Sequence, residues 1–419
     1  MAELRQNTWS LNQWYDQDVA GNATYEASGK LWMWGYNYYG QLGQNEGPGS
    51  SVGSYSSPIQ VGTDTTWTKV ASAGNNNTFA MKQDGSLWSW GFNQEGQLGL
   101  NDVNHRSSPT QIPGTDWQMT RKTFFSGYRI TQAIKEDGSQ WVWGTMQDGE
   151  LGLGARVTPT WTLASKSSPT QLPGNFTKVQ NSSALKTDGT LWMWGRNFYG
   201  ELGQNKSQTS SPIAMEAASS PCQIPGSWKD FSRSSDQDSF SSGIKTNGTL
   251  WTWGKNTYGQ AGNGIPGQPD YHPHWRISSP VQVGTDADWD RCADYLGDSG
   301  KNVWQKTDGS IWFTGSGTSN TMFGLGSRSS PTQIPGTVIP GIDYILAGSV
   351  TLGMDSPTAK VYFSGPNFYG LTGKNQPGPS NYPSMTYLPD VWDKFKNAGI
   401  TKHQLGYQNA GSIAAIEKT

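Results

Sequence analysis

A Trp-Gly step or its equivalent returns seven times along this chain, at Trp34-Gly35, Trp90-Gly91, Trp143-Gly144, Trp194-Gly195, Trp253-Gly254, Thr314-Gly315 and Ser364-Gly365. Successive glycines lie 56, 53, 51, 59, 61 and 50 residues apart. That period is too long for solenoids of roughly 20–35 residues and fits one supersecondary unit repeated around an axis. The 419 residues therefore read as one repeat architecture, with an N-terminal segment at 1–23 and the repeats over 24–419.

Each unit opens with a strand such as Phe79-Ala80-Met81-Lys82, turns at Asp-Gly, and returns through a strand such as Leu87-Trp88-Ser89-Trp90. Asp84-Gly85, Asp137-Gly138, Asp188-Gly189, Asn247-Gly248 and Asp308-Gly309 are dipeptides favoured in two-residue hairpins, where both central positions take positive φ. In Leu31 to Gly35, alternate residues send Leu and Met to one face and Trp32 and Trp34 to the other, so both faces need cover. Stacked blades supply it. Next come Gly40-Gln41-Leu42-Gly43, Gly96-Gln97-Leu98-Gly99, Gly149-Glu150-Leu151-Gly152 and Gly200-Glu201-Leu202-Gly203, which mark close backbone approach or positive φ. A loop of varying length leads to Ser-Ser-Pro, whose proline suits the start or outer edge of a strand. The expected fold is all-β: a single seven-bladed propeller of four-stranded blades, closed by pairing of N- and C-terminal strands. Ser412 to Lys418 has the form that precedes an L-W-x-W-G strand elsewhere, and Thr24-Tyr25-Glu26 competes for the same slot.

Composition narrows the function. Charged residues are 15% of the chain, against about a quarter in ordinary domains. Net charge is −2 with no block of Lys or Arg, so the footprint for a nucleic-acid backbone is missing. No stretch approaches the roughly 20 apolar residues of a membrane span. The start, Met1 to Asn7, lacks the apolar core of a signal peptide. Synthesis in a cytosol is the expectation, with no membrane insertion. Cys222 and Cys292 are too few for a disulfide framework, and the N-x-S/T triplets at Asn22, Asn76, Asn175 and Asn205 read as turns.

With L-W-x-W-G-x-N-x-x-G-Q-L-G and S-S-P-x-Q-x-P-G in hand, the chain resembles the regulator of chromosome condensation family, over nearly all of 24–419 and with a feel of bacterial or phage members. The resemblance implies a seven-bladed propeller and a range of roles, from nucleotide exchange on a small nuclear GTPase with nucleosome docking to inhibition of an enzyme. The family's G-x-x-H-T motif departs here to Gly74-Asn75-Asn76-Asn77-Thr78 and Gly127-Tyr128-Arg129-Ile130-Thr131, without histidine. No basic tail precedes the first unit, and no exchange-factor residue carries over.

No reactive constellation stands out. Gly49-Ser50-Ser51-Val52-Gly53 matches G-x-S-x-G but lies in a Ser/Gly loop rather than between strand and helix. Gly262 to Gly267 matches G-x-G-x-x-G with no helix behind it. His272 and His274 lack a third metal ligand, and Asp286, Asp288 and Asp290 lack a calcium loop's remaining positions. Tyr39, Tyr199, Tyr258 and Tyr369 recur before the glycine; a structural role is the simpler account, a sugar- or base-stacking platform the alternative. Trp34, Trp90, Trp143, Trp194 and Trp253, with Gly35, Gly91, Gly144, Gly195 and Gly254, are expected to build the repeat. No catalytic residue, cofactor or metal is expected.

The step from Leu-Gly to Ser-Pro takes 14, 9, 16, 17, 17 and 4 residues in units one to six. Insertions at one place in a repeat emerge together in space, which predicts a face raised over units three to five. Trp161, Tyr271, His272, His274 and Trp275 lie on these loops as candidate partner anchors; folding back over neighbouring blades is the competing account. The expected function is a non-enzymatic structural or protein-binding propeller. A phage virion part (capsid decoration, tail or host attachment), acting in the virion or outside the cell after lysis, comes first. A scaffold or enzyme inhibitor follows, then an exchange factor.

Overall fold

The computed structural model describes residues 28–47, 53–73, 76–120, 122–127, 129–154, 165–205, 217–234, 240–267, 275–293, 295–296, 300–316, 326–338, 342–347, 351–355, 360–366, 381–387 and 412–418. Within them every regular element is a strand. Blade two consists of Trp67–Ala73, Asn77–Lys82, Leu87–Gly91 and Arg106–Gln111 in antiparallel order. Blades five and six repeat that pattern, beginning at Trp228–Arg233 and Trp289–Cys292, and blade seven, beginning at Ile342–Ala347, adds the short parallel strand Tyr295–Leu296 to it. Blade three opens with two short pieces, Trp117–Gln118 and Phe124–Ser126, both paired to Ile130–Lys135. The long strand Ser165–Val179 ends blade three and begins blade four. These units make a seven-bladed β-propeller.

The ring closes as the sequence predicts, and the competition for the closing slot is decided. Ser412–Lys418 pairs antiparallel along Gly29–Tyr36, from Gly29 opposite Lys418 to Gly35 opposite Ser412. Ser54–Gln60 lies on the other side of that strand. Blade one thus joins both ends of the chain, and Ile416 is sealed into its core beside Leu31 and Met33. Thr24 to Glu26 lie outside the described residues.

The hairpins differ from the two-residue expectation. Gly85 N donates to Lys82 O, and Lys82 N donates to Ser86 O, so the loop has three residues, Gln83 to Gly85. Only the glycine takes positive φ, 79° at Gly85 and 84° at Gly309. The aspartate is there for another reason: Asp84 Oδ1 accepts from Ser86 N at 2.9 Å and from Ser86 Oγ at 2.6 Å. Asp137, Asp188, Asn247 and Asp308 cap their turns the same way. A turn of this kind needs a short acceptor followed by a left-handed residue, which Asp-Gly supplies.

The two tryptophans of each L-W-x-W-G strand have different tasks. The first is partly exposed and donates to the turn hydroxyl, as Trp88 Nε1 does to Ser86 Oγ at 2.9 Å. A lysine ammonium lies on its outer face: Lys82 3.8 Å from the Trp88 centroid, Lys186 4.2 Å from Trp192, Lys245 3.6 Å from Trp251. Each such contact contributes about 0.5–1 kcal/mol where exposed. The second tryptophan is buried in every blade that carries it, with Trp34, Trp90, Trp143, Trp194 and Trp253 all at 0% exposure.

That buried indole fastens its blade to the one before. Trp90, Trp143, Trp194 and Trp253 donate from Nε1 to the carbonyls of Gln41, Gln97, Glu150 and Glu201 at 2.9, 2.8, 2.7 and 2.9 Å. A hydroxyl on or just before the neighbouring strand of the same blade, from Thr78, Thr131, Ser182 or Ser241, reaches the same carbonyl. Blade six has threonine where blades one to five have tryptophan. Thr314 Oγ1 nevertheless donates to Gln260 O at 2.8 Å, and Asn302 Nδ2 joins it at 2.6 Å. The bond, rather than the ring, is the constant element.

The following glycine admits no side chain. A Cβ on Gly91 would lie 2.2 Å from Asn76 O, and its φ is 102°. The blades meet again where a Cβ on Gly40, Gly96, Gly149 or Gly200 would come within 2.6–2.8 Å of the first Ser of the next blade's Ser-Ser-Pro segment. Towards the hub, Lys178 of blade four reaches Asp230 of blade five at 2.5 Å, and Asp230 accepts from Cys292 N of blade six at 2.9 Å. The outermost strands, such as Arg106–Gln111 with Pro109, are the least buried.

Candidate partner-binding face

After each Trp-Gly step the chain leaves the sheet on one side of the ring, so turn and loop residues collect there. A buried asparagine shapes the turn: Oδ1 of Asn37, Asn93, Asn197 and Asn256 accepts from the amides of Leu42, Leu98, Leu202 and Ala261 at 2.8–3.0 Å. The glutamine or glutamate of the G-Q/E-L-G segment turns inward to accept from the amide two residues back, Tyr39 N to Gln41 Oε1 at 2.9 Å and Tyr199 N to Glu201 Oε2 at 2.7 Å. Burial pushes the Glu201 carboxyl up, against the pull of Arg233 and of its hydrogen bonds.

On this frame stand two aromatic groups. Between blades one and two, Tyr39 meets Tyr38, Phe92 and His105 edge-on at 4.8, 4.8 and 5.5 Å, and His105 stacks on Phe92 at 5.0 Å. Between blades four and five, Tyr199 meets Phe198 and Trp275 edge-on at 4.6 and 5.4 Å. Cations seat on this second group: Arg276 at 3.9 Å from Trp275, Lys255 at 5.0 Å from Tyr199, Arg196 at 5.6 Å from Phe198. Tyr39 and Tyr199 are therefore inter-blade packing, as the structural account holds. Among the described residues, the exposed aromatic rings are Tyr38 and Tyr258, at 50% and 49%.

Of the loop residues singled out as anchors, Trp275 is buried at 7%. Its ring closes on Tyr199 and its carbonyl accepts from Asn256 N at 2.7 Å, so it folds back over its neighbour and is corrected from partner anchor to packing residue. Trp161, Tyr271, His272 and His274 lie outside the described residues, as do most of the long insertions of blades three to five, Tyr369, and Gly49 to Val52. The remaining motifs resolve into structure: Gly264 N donates to Ser329 O of the next blade, and Asp286 and Asp288 hold Lys306 at 2.6 and 3.0 Å. Cys222 and Cys292 are free thiols. Among the described residues, no group of three or more His, Cys, Asp or Glu could hold a metal.

Comparison with known proteins follows the same repeat. The family model described as regulator of chromosome condensation (RCC1) repeat matches residues 28–81, 84–134 and 188–232, and a second model of that repeat matches 67–97. The chain carries RCC1 repeats. The ultraviolet-B receptor UVR8 of Arabidopsis thaliana is 30% identical over 251 residues, 57% of this chain and 52% of the receptor. The E3 ubiquitin-protein ligase HERC2 of Mus musculus is 28% identical over 252 residues, which span 57% of this chain and 5% of the ligase. The match thus spans about half of the one relative and a small part of the other. Among solved structures, yeast RCC1 (Prp20) bound to Kap60 superposes with a TM-score of 0.71 at 16% identity, covering 94% of this chain and 90% of that one. Human WBSCR16 gives 0.70 at 14%, covering 94% and 99%. Likeness at that identity speaks for the RCC1-type propeller fold.

Proposed function

We propose that this RCC1-repeat propeller is a non-enzymatic, protein-binding part that meets its partner on the loop face. The observation carrying this reading is where apolar surface is left over. The recurrent tryptophans, hydroxyls and glycines are used up in fastening blade to blade, whereas three of the four exposed large hydrophobic residues among those described, Tyr38, Val103 and Tyr258, stand on the loop face. Exposed aromatic and aliphatic groups on loops held by a rigid ring suit a protein partner. Yeast RCC1 (Prp20), of the same fold, has been crystallised with Kap60 and characterised for binding to Gsp1p and histones.

A phage virion component, released by lysis, is the finer form of this proposal; it rests on the charge-poor, aromatic-rich composition. A scaffold, an enzyme inhibitor and an exchange factor are the other forms. The test is comparative capture with two baits, the whole chain and a version with Tyr38 and Tyr258 changed to Ser and 271–274 replaced by a Gly/Ser linker. A protein retained by the first and lost by the second, with unchanged melting, supports the reading. Equal retention by both refutes the loop face, and a substrate turned over by the purified chain refutes the non-enzymatic part.

A further inference from the structure

In blades one, two and five, the turn asparagine that begins the loop-face segment uses its backbone amide to tie down the incoming chain. In blade one, Asn37 N donates to Gly53 O at 2.9 Å, and in blade five Asn256 N donates to Trp275 O at 2.7 Å. In blade two the acceptor is different in kind: Asn93 N donates to His105 Nδ1 at 2.9 Å. A backbone carbonyl cannot take up a proton near neutrality; an imidazole nitrogen can.

The bond fixes the histidine's state. To accept at Nδ1 the ring must be neutral with its proton on Nε2. It is half-buried, stacked on Phe92 and edge-on to Tyr39 of blade one. The loop it holds is otherwise tied by Asn93 Nδ2 to the carbonyls of Asp102 and Asn104, each at 3.0 Å. Its base is tied to blade three by Asn101 N to Ser167 O at 2.8 Å. The charged groups on the elements packed around the ring are Asp102 and Arg106 on its own loop, Glu95 on the turn, and Glu46 on blade one. Arg106 engages Asp102 at 2.5 Å, and the Tyr55 hydroxyl engages Glu46 at 2.9 Å.

We infer that blade two's loop is an acid-released latch: neutral His105 holds residues 102–105 closed, and a proton on Nδ1 sets two donors face to face, opening the loop and uncovering Phe92 and Tyr39. Burial shifts this imidazole below its ordinary range, the direction expected when the charged form is the one the site rejects. A folded-state value below the unfolded one means that the closed loop is stable above the ordinary histidine value of about 6.5. That stability is lost as pH falls through the folded value. Opening would widen the apolar patch around Tyr38, on the face proposed above for partner binding, although the latch stands on its own geometry.

The experiment is amide hydrogen exchange, corrected for intrinsic rates, at Asn93, Asn37 and Asn256 from pH 7.5 to 5, beside an NMR titration of the His105 ring in the full chain. Protection at Asn93 is expected to drop at least about tenfold, the equivalent of one pKa unit. The carbonyl-bound amides of Asn37 and Asn256 hold steady, and the midpoint matches the His105 titration. In His105→Gln, whose amide oxygen accepts without titrating, the drop disappears. A His105 pKa at or above about 6.5, a flat Asn93 profile, or a fall shared equally by all three amides overturns the latch.

Discussion

The indole of Trp90 and the backbone carbonyl of Gln41 lie 49 residues apart in sequence and 2.9 Å apart in space. The carbonyl belongs to one blade, the indole to the next, and Thr78 Oγ1 reaches the same oxygen at 2.7 Å. Trp90→Phe keeps most of the ring and removes one donor, at an expected cost of about 1 kcal/mol; Thr78→Val removes the other at a similar cost. Together they deprive a buried oxygen of both donors, so the double variant should lose more than the sum of the single losses. Urea unfolding of the three variants measures this.

Closure through blade one gives a second expectation. Removing 412–419 leaves one long edge of Gly29–Tyr36 unpaired and takes Ile416 out of the core. The thermal midpoint should fall by many degrees, and a synthetic peptide of 412–418 should restore part of it. An unchanged midpoint would disprove the staple.

The hub ion pair supplies a third. Lys178, at 2% exposure, gives its ammonium to Asp230 and to Phe231 O. Lys178→Met strands a buried carboxylate and should cost roughly 3–5 kcal/mol, while Lys178→Met with Asp230→Leu should recover most of that. A double variant as unstable as the single one would show that the charges do more than cancel each other.

Acid sensitivity outside the histidine should centre on Asp64. Burial pushes its carboxyl up, but hydrogen bonds from Lys82 and Thr66 outweigh this and bring it down to about 2. A depressed carboxyl contributes stability above the unfolded value of about 3.9, and loses it as pH falls through the folded one. Asp64→Asn should therefore flatten the stability profile between about pH 4 and 2 and leave its slope near neutrality unchanged. Denaturant midpoints across that window decide it.

The ring was legible because a propeller repeats its physics: Trp34, Trp90, Trp143, Trp194 and Trp253 are buried for one reason, and five copies of that reason outweigh any local ambiguity. The hairpins were misread because Asp84-Gly85 fits two turn types, and what separates them is the Ser86 hydroxyl bound to the aspartate. Thr314 could be placed only as an equivalent, since nothing in one sequence says that a hydroxyl takes over a bond made elsewhere by an indole. His105 carried no signal at all. Its loop is the shortest of those in blades one to five, and its significance lies in which atom faces Asn93, a relation between residues 12 apart that sequence spacing does not encode. Trp275 was misplaced for the converse reason: an aromatic on a long loop reads alike whether it faces solvent or Tyr199.

Blade one also sets a timetable. Its strand Gly29–Tyr36 leaves the ribosome early, yet its partner Ser412–Lys418 follows more than 370 residues later. At roughly 5–20 residues per second, that edge waits for tens of seconds with its ladder half made. During that wait the unpaired edge of Leu31 to Trp34 is open to the same strand of another nascent chain. The feature that seals the finished ring is thus the point at which two growing copies can mistake each other for themselves.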